Sequence, residues 1–413
     1  MRKNTKIDTG KKLETVNKVE SAKPVKRDVR VLLRKLNQIT MKSEQEKAAA
    51  SGAKLLAFNI GLDLGDKKSR YCILDHSTEY AIEGSLETTR EDFHAYFSQI
   101  PRSRIALEVG THSPWVSATL EGLGHEVHVA NPRKMEGIYK NKRKNDRFDA
   151  LLLARYARAD IRLLYPIRHR GVDARQDLVM LRARDRLVCV RTKLVNSVRG
   201  LVKSVGGRLP KCSAQSFHKI EADRIPEGIR AALQPMVEEI GSVTKKIVEY
   251  DKHIHLLAEK KYPETKLLQE IKGVGDLTSL AFVLIIEDPE FFAKSRDVGP
   301  YLGMVPKQDD SGDSSPQLRI TKTGDRFLRR LLVGSSQYIL GRFGEDCDLR
   351  NHGLKLAARG GKNAKKRAVV AVARKLAVLL HSLWRSGEVY EPLRQAALRQ
   401  ALEQQALPAA VNE

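Results

Sequence analysis

The chain has 413 residues, enough for two or three domains and a substantial core. Its 74 Lys and Arg against 50 Asp and Glu leave a net charge of +24 and a pI near 9.8. That excess points to a polyanionic partner, nucleic acid first, with an anionic membrane surface as the competing reading. No apolar run reaches the roughly 18 residues needed to span a bilayer, so no membrane partner is expected. The stretch "MRKNTKIDTGKKLETVNK" has no apolar region of a secretory signal. The four cysteines (Cys72, Cys189, Cys212, Cys347) form no CxxC pair, which excludes a sequence-evident zinc ribbon and fits a reducing, cytoplasmic setting. Two Trp and 6% aromatic residues argue against a binder that works mainly by stacking bases on rings.

Residues 1–54 are polar and Lys-rich. They read as a basic flexible extension with one short amphipathic helix in "VRVLLRKLNQI". From Leu55 the texture changes. "LLAFNIGLDLG" is a buried strand ending in Gly and Asp, and "SRYCILD" and "EYAIEGSLE" follow as antiparallel neighbours. "TREDFHAYFSQI" is a Thr-capped helix, "RIALEVG" a further buried strand, and "SPWVSATLEGLG" a helix opened by Ser-Pro and closed by Gly. "HEVHVAN" is a fifth strand, "RKMEGIYK" starts a helix, and "KNDRFDALLLARYAR" (144–158) is another. The sum is a mixed α/β layer over 55–165. Residues 166–261 read as a helical, coiled-coil linker of two long helices broken at "LPKCSAQSF". Residues 262–393 read as a mainly α domain, and 394–413 as a tail. No internal repeat is evident.

Acidic residues punctuate the α/β layer. Asp63 ends the first strand and Glu108 the fourth, while Asp146 and Asp149 stand three apart on one helical face. Singly, each has a bland reading: a strand-end Asp is common, and an Asp pair on a basic helix is usually a solvated face. Together they form an ordered set. Adjacent strand ends in an open sheet bring distant side chains into one crevice. Four convergent carboxylates repel and need divalent cations, and Mg²⁺ favours such oxygen ligands. Two ions about 4 Å apart can activate one phosphate oxygen and stabilise another. This is the order of a ribonuclease-H-like, Holliday-resolvase-like nuclease core.

In the helical part, Gly273-Val274-Gly275 suits either a helix-hairpin-helix, which offers backbone N–H groups to a phosphate, or an ordinary αα turn. "DDSGDSSP" (309–316) reads as a flexible loop followed by the basic "RITKTGDRFLRR". Ser311, before Gly312, carries a hydroxyl that could attack a phosphodiester. Composition alone makes it a solvated turn, and Ser314, Ser315, Ser335 and Ser336 are equal candidates. "GGKNAKKRAVVAVARK" puts a basic stripe on a C-terminal helix. The pairs His125/His128 and His253/His255 are ordinary histidines by their common spacing, and the cysteines ordinary thiols.

Several stretches, taken together, resemble one family. They are "GLDLG", "ALEVGTHSPWVSATLEGLGHEVHVANPRKM", "KNDRFDALLLARYAR", "IKGVGDLTSLAFVLIIEDPEFF", "YLGMVPKQDDSGDSSPQLRITKTGDRFLRRLLV" and "GGKNAKKRAVVAVARKLAVLLHSLW". The family is the DEDD insertion-sequence transposases (IS one-ten family), relatives of the Piv invertase, and the resemblance covers about 55–393. Most relatives have Thr where this chain has Asn145. The resemblance implies a RuvC-like, ribonuclease-H-like domain in which Asp63, Glu108, Asp146 and Asp149 are the metal-binding tetrad, with Mg²⁺ as cofactor and Mn²⁺ as a substitute. It implies that Ser311 is the nucleophile of a C-terminal transposase domain, forming a covalent phosphoserine intermediate. It further implies donor and target double-stranded DNA, a structured bridge RNA as guide, and homodimers assembling to a homotetramer. The rivals are a hydrolytic RuvC-like nuclease or Holliday-junction resolvase without a covalent step, and a non-catalytic nucleic-acid binder.

Overall fold

The computed structural model describes residues 56–75, 81–135, 146–220, 224–316, 318–394 and 397, without the side chains of Arg133 and Asp146. The expected extension (1–54), the helix of "VRVLLRKLNQI", most of "RKMEGIYK" and the tail beyond 397 lie outside the described residues. The chain divides into two units, one ending at His169 and the other beginning at Arg170.

The first unit is built on a five-stranded sheet. β1 (Asn59–Asp63), β2 (Lys68–Leu74) and β3 (Ala81–Glu87) form an antiparallel meander, and β4 (Arg104–Glu108) and β5 (Glu126–Ala130) extend it in parallel on the other side of β1. The order is β3-β2-β1-β4-β5. The central strands are covered on both faces: Ile60, Leu62, Ile105 and Leu107 are fully buried on one, and Gly61 and Ala106 lie under α3 and its neighbours on the other. α1 (Arg90–Phe97) begins at Thr89, whose side chain accepts from the Asp92 N–H. It carries Phe93 and Phe97 into a core shared with Val116 and Leu120 of α2 (Ser113–Gly122). α3 (Asp146–Ala159) packs on β1, β2 and β4. Before it, Pro132–Lys134 form a short 3-10 turn.

The second unit is helical. α4 (Val172–Ser204) and α5 (Glu227–Lys261) span 33 and 35 residues, each roughly 50 Å at 1.5 Å per residue. They run antiparallel. Asp177 accepts from Lys261 and from the Tyr262 hydroxyl, and Arg184 pairs with Asp251. Toward the hairpin tip, Val198 and Val202 meet Leu233 and Val237 around Phe217. Toward its base the pair joins a larger core with α6 (Thr265–Gln269), α7 (Asp276–Ile286), α8 (Val298–Tyr301), α9 (Arg326–Leu340), α10 (Asp348–Ala358) and α11 (Ala364–Ser386). α7 is the centre of that core: every residue from Thr278 to Ile286 is buried, so its sequence is apolar all round rather than along one stripe. No described helix is long and apolar enough to cross a membrane.

Two buried histidines, one in each unit, tie their units internally and share one tautomer. His125 accepts at Nδ1 from the Ser103 N–H and donates from Nε2 to the Phe97 carbonyl. His381 accepts at Nδ1 from the Ser295 hydroxyl and donates from Nε2 to the Pro289 carbonyl. Burial, chiefly, holds both imidazoles below their ordinary range, because the charged form is poorly solvated there. The unfolded chain takes up protons near pH 6.5, whereas the folded chain resists them. Stability is therefore complete above about pH 6.5 and falls as the pH drops through that value. Urea midpoints should fall between pH 7.5 and 5.5, a window in which unperturbed carboxylates stay ionised. A flat midpoint would contradict neutral, buried imidazoles.

Candidate active site

β1 and β4 are parallel neighbours with Leu62 opposite Leu107. The next residues, Asp63 and Glu108, therefore stand side by side at the carboxyl edge of the sheet. Both are half-buried. α3 brings the third element. A Cβ on Gly61 would lie 1.9 Å from the Ala150 carbonyl oxygen and 2.5 Å from the Ala154 nitrogen. Only glycine lets the helix backbone settle onto the strand at this point. Ala150, Leu153, Ala154 and Ala157 form the buried face of α3, where small residues allow the close approach. Asp149 precedes Ala150, so its helical turn lies over β1 two residues from Asp63. Asp146 opens the same helix, and its side chain lies outside the described residues.

The structure thus brings the strand ends of Asp63 and Glu108 and the first turn of α3 to one edge. Among the described residues, no group of three or more His, Cys, Asp or Glu stands close enough to hold a metal ion. The set the sequence singles out is all-carboxylate, the donor chemistry of a hard divalent cation. Arg147, between the two aspartates, pairs with Glu83 of β3. Cys72, under α3, is pushed up to about 11 by burial, against the opposing pull of Arg155 and Arg147. It remains a thiol at neutral pH and is no nucleophile.

His112 belongs to the same edge, where its sequence position alone does not mark it. It lies in the turn after β4, at the residue that precedes α2. Its Nδ1 accepts from the Trp115 indole N–H at 3.2 Å, which leaves Nε2 to donate toward Asp66, at 3.5 Å, in the turn after β1. The signal was present in "GTHSPW", where the His precedes a Ser-Pro helix start. Histidines 125 and 128 turn inward instead: His128 bonds Glu126, which also holds Arg104. In the second unit His255 pairs with Asp276.

In the second unit, "DDSGDSSP" is not the open loop its composition suggests. Residues 303–307 and 319–322 form a two-stranded ribbon. Lys307 donates to Arg319, Thr321 to Val305 and Lys322 to Gly303, each at 2.9 Å, with Pro306 bridged to Ile320. At its tip Ser311 and Ser314 exchange backbone hydrogen bonds, both at 3.0 Å, across Gly312 at φ +53°. Ser311 is exposed there, as are Ser314 and Ser315, whereas Ser335 and Ser336 are buried in α9.

The ribbon's base is tightly held. Arg329 of α9 donates to the Leu302 carbonyl at 2.8 Å and the Gly324 carbonyl at 3.2 Å, one on each leg. Asp325 caps α9 through the Leu328 N–H and pairs with Arg182 of α4. Gly303 has φ +66°, and a Cβ there would lie 2.4 Å from the Thr323 nitrogen. Gly303→Ala should therefore destabilise the chain by about 2 kcal/mol and expose residues 304–322 to protease. An unchanged melting temperature and digestion pattern would show that the ribbon is not anchored there.

The turn at Gly273–Gly275 joins α6 to α7. Gly273, at φ +99°, lies against Tyr338 and Ser335 of α9, while nothing stands within 4 Å of a Cβ on Gly275. Asp276, at the start of α7, accepts from the Gln269 side chain.

Acidic strand ends under a packed helix, joined in one chain to a helical unit with an exposed serine ribbon, coincide with the regions of known transposases. Residues 60–206 match the transposase family DEDD_Tnp_IS110, and residues 265–348 match the family described as Transposase IS116/IS110/IS902. The chain is similar to the transposase for insertion sequence element IS1111A of Coxiella burnetii, at 30% identity over 343 residues, covering 80% of this chain and 90% of the relative. It is also similar to the transposase for insertion sequence element IS1328 of Yersinia enterocolitica, at 25% identity over 290 residues, covering 68% of this chain and 84% of the relative. Its class is DNA transposase. The chain belongs to the IS110 family of insertion-sequence transposases.

Proposed function

We propose that this transposase cuts and rejoins DNA through Ser311, with Asp63, Glu108, Asp146 and Asp149 as the ligands of a divalent cation, Mg²⁺ or in its place Mn²⁺. The observation that carries the metal half is the meeting of the Asp63 and Glu108 strand ends beside the first turn of α3, a close approach that Gly61 permits. A three-stranded antiparallel meander extended by two parallel strands supports a ribonuclease-H/RuvC-like reading of this unit. The serine half rests on the ribbon, which holds an exposed hydroxyl at a hydrogen-bonded tip.

The chemistry is a pair of transesterifications. The Ser311 Oγ attacks a DNA phosphorus; an Oγ–P bond forms as a DNA P–O bond breaks. The hydroxyl proton leaves, and the departing DNA oxygen takes one up. A DNA hydroxyl from the partner duplex then attacks the phosphoserine, restoring the serine and joining the strands. One phosphodiester is exchanged for another, so no external energy source is needed. A bound divalent ion would stabilise the charge that gathers on the phosphate oxygens. Arg70, opposite Asp63 in the β1–β2 register, adds positive charge at the carboxylate edge. The open approach at Gly275 suits a backbone contact to phosphate.

The partners in this reading are donor and target double-stranded DNA and a structured bridge RNA that supplies sequence choice by base pairing. The protein then reads backbone and shape, which suits a net charge of +24. A homodimer assembling to a homotetramer would let several protomers serve one exchange. Domain limits of 55–165, 166–261 and 262–393 follow the same reading.

The test combines purified chain, flanking-element RNA, labelled donor and target DNA, and Mg²⁺, resolved on a denaturing protein gel. A labelled protein–DNA adduct is expected with Mg²⁺ and should be lost with chelator and in Asp63→Asn. Cleaved DNA with no adduct would favour the hydrolytic nuclease. An adduct formed equally in chelator would remove the metal from the mechanism.

A further inference from the structure

α10, α11, the two legs of the ribbon and residues 389–394 wall a groove of about 1470 Å³ within the second unit. Its walls carry eight Lys and Arg against two carboxylates, Asp348 and Glu391. Among the described residues, no carboxylate pairs with Arg319, Lys322, Arg359, Lys366 or Lys375. Between these cations the surface is aliphatic: Leu318, Leu356, Val370, Leu379 and Val389 line the groove, and Leu318 and Val389 are exposed. The pattern has a simple origin in α11. Val372, Ala373, Leu376, Ala377 and Leu380 face the core. The adjacent stripe alternates charge and hydrocarbon at helical spacing, as Lys366, Val370, Arg374 and Val378.

We propose that this groove binds an unpaired nucleic-acid strand, with phosphates on the cationic walls and base faces on the aliphatic floor. Cations without internal partners form a track for a polyanion. The floor decides between paired and unpaired forms. A duplex seals its base faces in the stack and presents sugar and phosphate outward, so it would leave the hydrocarbon uncovered. An unpaired strand can cover both surfaces, and burying the floor adds a favourable term that salt does not screen. The scarcity of aromatic rings fits: contact here is packing against Leu and Val, with Tyr390 and the His352 imidazole the rings in the lining. His352 reports the field inside. Burial, then the charges of Lys375 and Arg359, hold its imidazole below the ordinary range. This site goes beyond the strand-exchange chemistry and does not depend on Ser311, because binding is read without cleavage.

The experiment measures binding of the full chain to a fluorescein-labelled 15-residue oligo(dT) and to a mixed-sequence hairpin duplex, by anisotropy, in Mg²⁺-free buffer over a salt series. Two surface variants separate the terms. Lys366→Glu with Lys375→Glu should weaken oligo(dT) binding about tenfold or more and flatten its log–log salt slope by about one to two. Leu318→Asn with Val389→Asn, which remove hydrocarbon without changing the charge, should weaken oligo(dT) binding about fivefold, with duplex affinity held within about twofold. The four positions are exposed, and circular dichroism confirms that each variant is folded. The proposal fails if the Leu318/Val389 variant binds oligo(dT) as the parent does. It fails equally if single strand and duplex lose affinity in the same proportion, which would make the groove a general phosphate-binding face. Binding of an acidic amphipathic peptide with none of oligo(dT) would also overturn it, in favour of a helical protein partner.

Discussion

Ser311→Ala is expected to abolish the covalent protein–DNA adduct and to lower strand exchange by about 10⁴-fold or more, the scale on which removal of a nucleophile acts. The structural grounds are specific. Ser311 sits at the tip of a ribbon whose stem is hydrogen-bonded and whose base is clamped by Arg329. Its side chain is exposed, so its loss should leave the melting temperature unchanged. Neighbouring hydroxyls provide the control. Ser314 exchanges backbone bonds with Ser311 across the same turn, so Ser314→Ala keeps both its N–H and its carbonyl. It should retain most activity if the nucleophile is Ser311. Loss of the adduct in Ser314→Ala with retention in Ser311→Ala would transfer the role. Cleavage at the parent rate in both, with no adduct in either, would leave the carboxylate edge as a hydrolytic nuclease.

Gly61→Val is expected to have the largest effect on the fold. Even the first carbon of the new side chain would stand 1.9 Å from the Ala150 carbonyl oxygen and 2.5 Å from the Ala154 nitrogen. These are backbone atoms of α3 and cannot swing aside. Either the helix lifts off β1 or the unit fails to close, at a cost of about 3 kcal/mol or more. Because Asp149 precedes Ala150, lifting the helix also carries that residue away from the end of β1, and with it one ligand of the proposed metal site. Strand cleavage should therefore be lost even below the melting transition. Gly122→Ala, at the end of α2 with nothing within 4 Å, is the matched control and should leave stability and cleavage unaltered or slightly improved. If Gly61→Val melts with the parent, the close packing of α3 on β1 is wrong, and with it the placement of Asp149.

Much of this architecture was legible along the chain. The five strands and the long helices 172–204 and 227–261 fall where apolar runs and helical spacing put them, and α1 where its Thr cap does. Those signals are local: a strand buried on both faces reads as an apolar run, and a Thr before "REDF" caps a helix whatever lies around it. The order of acidic residues was also local information, and membership in the transposase family followed from it together with the longer motifs. Other features depend on partners remote in sequence. The ribbon was not legible, because "PKQDDSGDSSPQLRIT" has no period and its stem exists only through pairing of 303–307 with 319–322. Gly61 reads as an ordinary strand glycine until a helix some 90 residues later lies on it. His112 becomes notable only when β1 and β4 end at the same edge. The groove was half visible as a basic stripe on α11. Its hydrocarbon floor is contributed by three further segments, and its opening depends on where α10 and the ribbon come to rest. Sequence alone determined the elements, the acidic residues and the family, because periodicity and motif order are written in neighbouring residues. Only tertiary structure decided which of those residues share an edge, a clamp or a groove, because those relations are set by packing between segments far apart in the chain.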